Sequence, residues 1–113
     1  TFILKDNKPW MVTGSPGGAR IITTVLQTVI NSIDYGMNPA EAASVPRIHH
    51  QWQPDELRVE KGLSQDTLNL LNNWGYDVQT KASMGRTQTI QIRDDGFYGY
   101  SDPRNPDGGT LGY

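Results

Sequence analysis

Between positions 21 and 33, Ile21, Ile22, Val25, Leu26, Val29, Ile30 and Ile33 recur at i, i+1, i+4, i+5, i+8, i+9 and i+12. This is an amphipathic helical stripe that drifts slowly around its axis. The opposite face, Thr23, Thr24, Gln27, Thr28, Asn31 and Ser32, is polar but uncharged. A helix face washed by solvent usually carries Lys and Glu, so partial cover is expected on both sides. Gly36 closes this helix. Asn38-Pro39-Ala40-Glu41 opens a short one with an N-cap, Pro at the first helical position and Glu where a capping box needs it. Pro46 biases Val45 out of the helical region and ends it. A third helix is expected after Ser64, through Leu68, Leu71 and Trp74, with Asp66 near its positive end and Gly75 as the stop.

The remaining segments read as strands. Phe2 to Lys5 and Trp10 to Thr13 flank the turn-rich Asp6-Asn7-Lys8-Pro9 and predict a β-hairpin. Arg47 to Gln51 and Glu56 to Glu60 are extended around Gln53-Pro54-Asp55, and Tyr76 to Thr80 is a further strand. Thr87 to Arg93 alternates, Ile90 and Ile92 against Thr89 and Gln91, and Asp94-Asp95-Gly96 turns it back into Phe97 to Tyr100. The Pro/Gly-rich segment from Ser101 to Tyr113 has no periodicity and reads as loop. The expected class is α+β, an antiparallel or mixed sheet with helices on one side. There is no internal repeat and no interdomain linker.

Composition narrows the function classes. At 113 residues the chain is one domain's worth of material or less, and 35% hydrophobic residues with a mean hydropathy of -0.58 are thin for a self-sufficient globule. A missing partner is the first inference. Ten basic against twelve acidic side chains leave a net charge of -2 without a like-charged block, which argues against nucleic acid and anionic lipid. No apolar run approaches a membrane span, and Thr1 to Lys5 lacks the layout of a signal peptide. The absence of cysteine excludes disulfides, thiol catalysis and thiolate metal sites.

Candidate chemistry centres on Gly14-Ser15-Pro16-Gly17-Gly18, immediately before the longest helix. Adjacent glycines allow backbone to approach a ligand, and first-turn N–H groups point outward with the positive end of the helix dipole behind them. Such a turn stabilises a phosphate, a carboxylate or the oxyanion of acyl transfer, or it is simply a tight strand-to-helix connection. A P-loop is excluded because Ala19 and Arg20 follow Gly18 where Lys and Ser/Thr are required. Ser15 lacks the first glycine of a nucleophile elbow, since Thr13 occupies that place, and is read as a turn or cap residue. His49 and His50 would point to opposite faces of a strand, so structural hydrogen bonding is expected of them and no metal site. Thr1 leads straight into an apolar strand and is not assigned as an N-terminal nucleophile.

Taken together, Thr13-Gly14-Ser15-Pro16-Gly17-Gly18-Ala19-Arg20-Ile21, Pro46-Arg47-Ile48-His49-His50-Gln51, Ser101-Asp102-Pro103-Arg104 and Gly112-Tyr113 resemble the C-terminal part of γ-glutamyltranspeptidase over essentially the whole chain. The resemblance implies a single partial domain, residues 1–113, from the small subunit of an N-terminal-nucleophile hydrolase. That fold is a four-layer αββα sandwich, incomplete in these residues, formed when a precursor cleaves itself into two subunits. It implies transfer of a γ-glutamyl group from glutathione or a related donor to an amino acid, a peptide or water, through a γ-glutamyl-threonyl enzyme and without a cofactor. The large subunit and the remainder of the small subunit are the implied partners, and the implied location is periplasmic or secreted. Gly17 and Gly18 match the family's oxyanion-hole glycines, which donate backbone N–H groups. The family's nucleophilic threonine and its α-carboxylate and α-amine contacts belong to regions that match nothing here. Ala19 stands where the family often has Ser, a difference of little consequence for backbone donors. Arg47, His49 and His50 match residues without a catalytic role. A non-catalytic anion-binding module and a degenerate structural relative are the alternatives.

Overall fold

The computed structural model describes all 113 residues. Strands β1 (Phe2–Lys5) and β2 (Lys8–Gly14) form the expected hairpin. Its turn is tighter than the four-residue spacer suggests. Asp6 and Asn7 both take positive φ, 52° and 60°, so two residues make the connection and Lys8 and Pro9 join the strand. A 3-10 turn, Gly18–Arg20, runs without a break into α1 (Ile21–Ile33). Helix α2 (Pro39–Ser44) begins with the full capping box between Asn38 and Glu41. Strands β3 (Ile48–His49) and β4 (Leu57–Val59) follow, then α3 (Gln65–Asn73), capped by Ser64. Strands β5 (Val78–Thr80), β6 (Gln88–Arg93) and β7 (Gly96–Ser101) complete the elements.

The strands make two sheets where a single one was expected. One is antiparallel in the order β1-β2-β6-β7; the other, β3-β4-β5, is mixed, with β4 and β5 parallel. In the larger sheet, register decides which residues share a face. Phe2 opposes Val12, Val12 opposes Ile90, and Ile92 opposes Phe97, so one face is apolar. Met11 opposes Gln91 and Thr13 opposes Thr89 on the other face, which α1 and α2 cover. The covered face is thus the more polar one, closed by a Thr13–Thr89 hydroxyl hydrogen bond of 2.8 Å.

Helix α1 shows the same inversion: within this chain its polar face is the covered one. Thr24, Thr28 and Ser32, four residues apart, are buried, while Ile22, Leu26 and Ile33 lie open. Small hydroxyl side chains let α1 sit close to the backbone beneath it. A Cβ on Gly85 would lie 2.5 Å from Thr24 Cγ2, so glycine is the residue that fits there. The buried hydrophobic core amounts to Met11, Ala42, Ala43, Leu57, Val59 and Met84. A core this small cannot carry the fold alone, and buried polar groups supply much of the remaining order.

Candidate functional site

The glycine turn is built by two backbone conformations that L-residues avoid. Gly17 has φ 143° and Gly18 φ 59°. The Gly17 carbonyl accepts from the Arg20 N–H at 3.2 Å and the Gly18 carbonyl accepts from Ile21, which fixes the 3-10 turn. No carbonyl or side chain of the chain accepts from the Gly17 or Gly18 N–H. The electrostatic setting differs from that of the other helices. α2 and α3 carry Glu41 and Asp66 in their first turns, whereas neither the 3-10 turn nor α1 has an acidic residue there. The positive end of the longest helix is therefore left without an internal counter-charge, next to free backbone donors.

A second segment holds the turn from beneath. Ser15 Oγ donates to the Pro16 carbonyl at 2.7 Å and accepts from the Arg86 N–H at 2.8 Å. A Cβ built on Gly17 would lie 3.8 Å from Gly85 Cα, so the two backbones pass in contact. Ser15 is a structural clamp, in keeping with its reading as a turn residue.

The Met84-Gly85-Arg86 segment is in turn held by a cluster of four charges, of which Arg47, Glu60 and Asp102 are buried and Arg104 is partly exposed. Asp102 Oδ2 accepts from Arg47 at 2.6 Å and from the Thr87 N–H at 2.9 Å. Glu60 takes both ends of the Arg104 guanidinium, at 3.0 and 2.6 Å, and accepts from the N–H groups of Arg47 and Met84. Arg47 returns a hydrogen bond to the Met84 carbonyl at 2.9 Å, and Arg104 reaches Asp102, Ala43 and Val45. Two carboxylates and two guanidiniums cancel in charge, and most of their lone pairs and protons are engaged, Arg47 Nε being the buried nitrogen left without a partner; such pairing is the condition for ion pairs to persist inside a protein. Burial alone would raise the Asp102 pKa, but hydrogen bonds from the Arg104 and Thr87 N–H groups and from Arg47 outweigh it and hold the carboxyl below 3.8. For Arg104, burial opposes the charge, and Glu60 and Asp102 overcome it and raise its pKa further.

The other candidate residues fall elsewhere. His49 is buried, its Nδ1 2.7 Å from Thr23 Oγ1 and its Nε2 2.9 Å from Gln51 Oε1. His50 faces another way and pairs with Asp55 at 3.1 Å. Thr1 N donates to the Thr13 carbonyl at 2.9 Å along the β1–β2 edge. Among the supporting residues, Asp102 and Arg104 lie in a string that carries the family resemblance, but no pattern in the sequence singles out Glu60, Met84 or Gly85. They come from two separate segments, and only the tertiary fold joins them.

The model of the γ-glutamyltranspeptidase family matches residues 1–112. The chain is 63% identical over 114 residues to the glutathione hydrolase proenzyme of Escherichia coli (strain K12), a match that takes in all of this chain and 20% of that protein. A crystal structure of a Helicobacter pylori γ-glutamyltranspeptidase mutant superposes with a TM-score of 0.88 at 53% identity, over 93% of this chain and 59% of that one. The Pseudomonas nitroreducens γ-glutamyltranspeptidase complexed with L-DON gives a TM-score of 0.89 at 27% identity, over all of this chain and 61% of that one. The helix-on-sheet layers are thus one part of an N-terminal-nucleophile hydrolase fold. The chain belongs to the γ-glutamyltranspeptidase family. It spans about a fifth of the length of its Escherichia coli relative.

Proposed function

We propose that residues 1–113 are the C-terminal portion of the small subunit of an enzyme that cleaves γ-glutamyl amides, with glutathione as donor. In this reading the Gly17 and Gly18 N–H groups form the oxyanion hole. As a threonine oxygen bonds to the γ-carbonyl carbon, negative charge gathers on the carbonyl oxygen. Two fixed donors and an uncompensated helix end then stabilise that charge more than they stabilise the neutral amide. The C–N bond breaks, the amine leaves with a proton, and water, an amino acid or a peptide takes the acyl group. The nucleophile and the groups that hold the glutamyl α-carboxylate and α-amine come from parts of the family's sequence that these residues do not match. The large subunit, the rest of the small subunit and a periplasmic or secreted location are proposed on the family resemblance.

The observation that carries this reading is the pair of unclaimed N–H donors on positive-φ glycines at the only helix start without an acidic residue. The test is Gly18→Ala in the complete enzyme, assayed with a γ-glutamyl anilide. Nothing lies within 4 Å of a Cβ there, so the substitution acts through backbone conformation and not through a clash. Leaving the left-handed region re-aims the amide, and losing one oxyanion donor typically costs ~10²–10³ in kcat. The expected result is a fall of about that size with KM changed only a few-fold; an intact kcat would sink the assignment.

A further inference from the structure

Beside the glycine turn lies a cleft of about 330 Å³, lined by Pro16, Gly17, Arg20, Gly85, Arg86 and Arg104 among others. Three arginines line one small space, and they are not equivalent. Arg104 is neutralised by Glu60 and Asp102. Arg20 and Arg86 have no carboxylate partner, and Arg20 Nε is shielded from solvent without a hydrogen-bond partner. The wall that carries these cations also carries the oxyanion turn, because Gly17 belongs to the cleft.

We infer that this cleft binds the C-terminal carboxylate of the peptide on the far side of the scissile amide. Arg20 and Arg86 are its recognition residues. The inference rests on the oxyanion reading of Gly17 and Gly18. In glutathione the group beyond the γ-glutamyl amide is cysteinylglycine, whose carboxylate is the one anion left on that side. Two extended residues span at most about 7 Å, so a carboxylate at that distance from the scissile amide stays within reach of a cleft that begins at the turn. The same carboxylate chemistry occurs in a peptide acceptor, which must approach the acyl-enzyme from the side the leaving peptide has vacated. One cleft thus serves the departing dipeptide and the incoming one, and arginine suits it because its planar fork matches a carboxylate.

The experiment compares, in the complete enzyme, kcat/KM for glutathione with that for its glycine methyl ester. A parallel arm compares glycylglycine with its amide as acceptors from a γ-glutamyl anilide. Each ratio cancels any general loss of activity. The wild type is expected to favour each free carboxylate, and Arg86→Gln and Arg20→Gln are each expected to lower that preference about tenfold, the size of a lost charge-assisted hydrogen bond. Should a variant fail to fold, the wild type supplies the second measurement: raising salt should raise KM for glutathione and leave that for the ester nearly level. A shift in the first arm alone assigns the cleft to the leaving peptide, in the second alone to the acceptor, and in both to the two in turn. Each of these supports a carboxylate site. Wild-type turnover with no preference for the free carboxylate, or preferences that survive both substitutions, would overturn the inference while leaving the oxyanion reading in place. Absence of any γ-glutamyl turnover by the wild type would overturn that reading, and this inference with it.

Discussion

At the scale of single residues, Asp102 links pH to stability most directly. Its carboxyl is fully buried, and its donors hold the pKa below the ordinary 3.8. A carboxyl whose folded pKa is depressed adds stability that is complete above the unfolded value and is lost as pH falls through the folded one. The complete enzyme is therefore expected to lose thermal stability on acidification below 3.8, and part of that loss should be absent from Asp102→Asn, which is less stable near neutrality. Melting temperatures measured from about pH 6 to pH 2 would check this; parallel curves for the two proteins would refute it. Gly85 is the steric counterpart. With φ 70° and Thr24 and Ser15 atoms 2.5 to 2.9 Å from a built Cβ, Gly85→Ala is expected to push α1 and the glycine turn apart. Its stability cost should match that of overpacking, about 1–3 kcal/mol, readable by chemical denaturation.

At the scale of elements, local chemistry was the legible part. The capping box at Asn38 and Glu41, the Ser64 cap, the stop at Gly75 and the alternation of β6 each depend on residues a few positions apart. Asn38→Ala is expected to cost about 1 kcal/mol for the lost cap, measurable as a lower denaturation midpoint. The orientation of α1 was not legible, because a periodic stripe defines a face without saying what lies against it. Thr24, Thr28 and Ser32 are buried where α1 packs on α2, β2 and the Gly85 backbone, a close approach that small side chains permit and branched apolar ones would not. The division into two sheets was equally hidden, for strand pairing between β2 and β6 spans more than seventy residues. Around the candidate site, the strand-to-helix turn at Gly14 to Gly18 was readable from its own five residues. Its supports, Glu60 and the Met84-Gly85-Arg86 segment, were not, because nothing local distinguishes a carboxylate that will be buried from one that will be solvated.

At the scale of the whole molecule, the chain has the shape of a part. Its radius of gyration is 15.2 Å, against about 13 Å for a compact domain of this length. Phe2, Leu4 and Phe97 lie open on one sheet face, and Ile22, Leu26 and Ile33 on α1. Two apolar faces on opposite sides of one layer pair exceed what a soluble monomer normally exposes. The isolated 113 residues are accordingly expected to self-associate, bind a hydrophobic dye and fail to turn over a γ-glutamyl anilide. Sedimentation of a dispersed, dye-silent monomer, or turnover lost on Thr1→Ala, would contradict this. The charged quartet of Arg47, Glu60, Asp102 and Arg104 has a different kind of consequence. Because its charges cancel, the four positions are not free to vary singly. Arg47→Met alone leaves Asp102 with Arg104 as its one guanidinium, and Asp102→Leu alone leaves the buried Arg47 without a carboxylate; the second should cost about 3–5 kcal/mol and the first less. The pair together should cost less than the sum, by a coupling of about 0.5–3 kcal/mol. Replacement at these sites should then proceed by matched exchange, one cation with one anion, so that the positions behave as a single inherited character spread over four places in the chain.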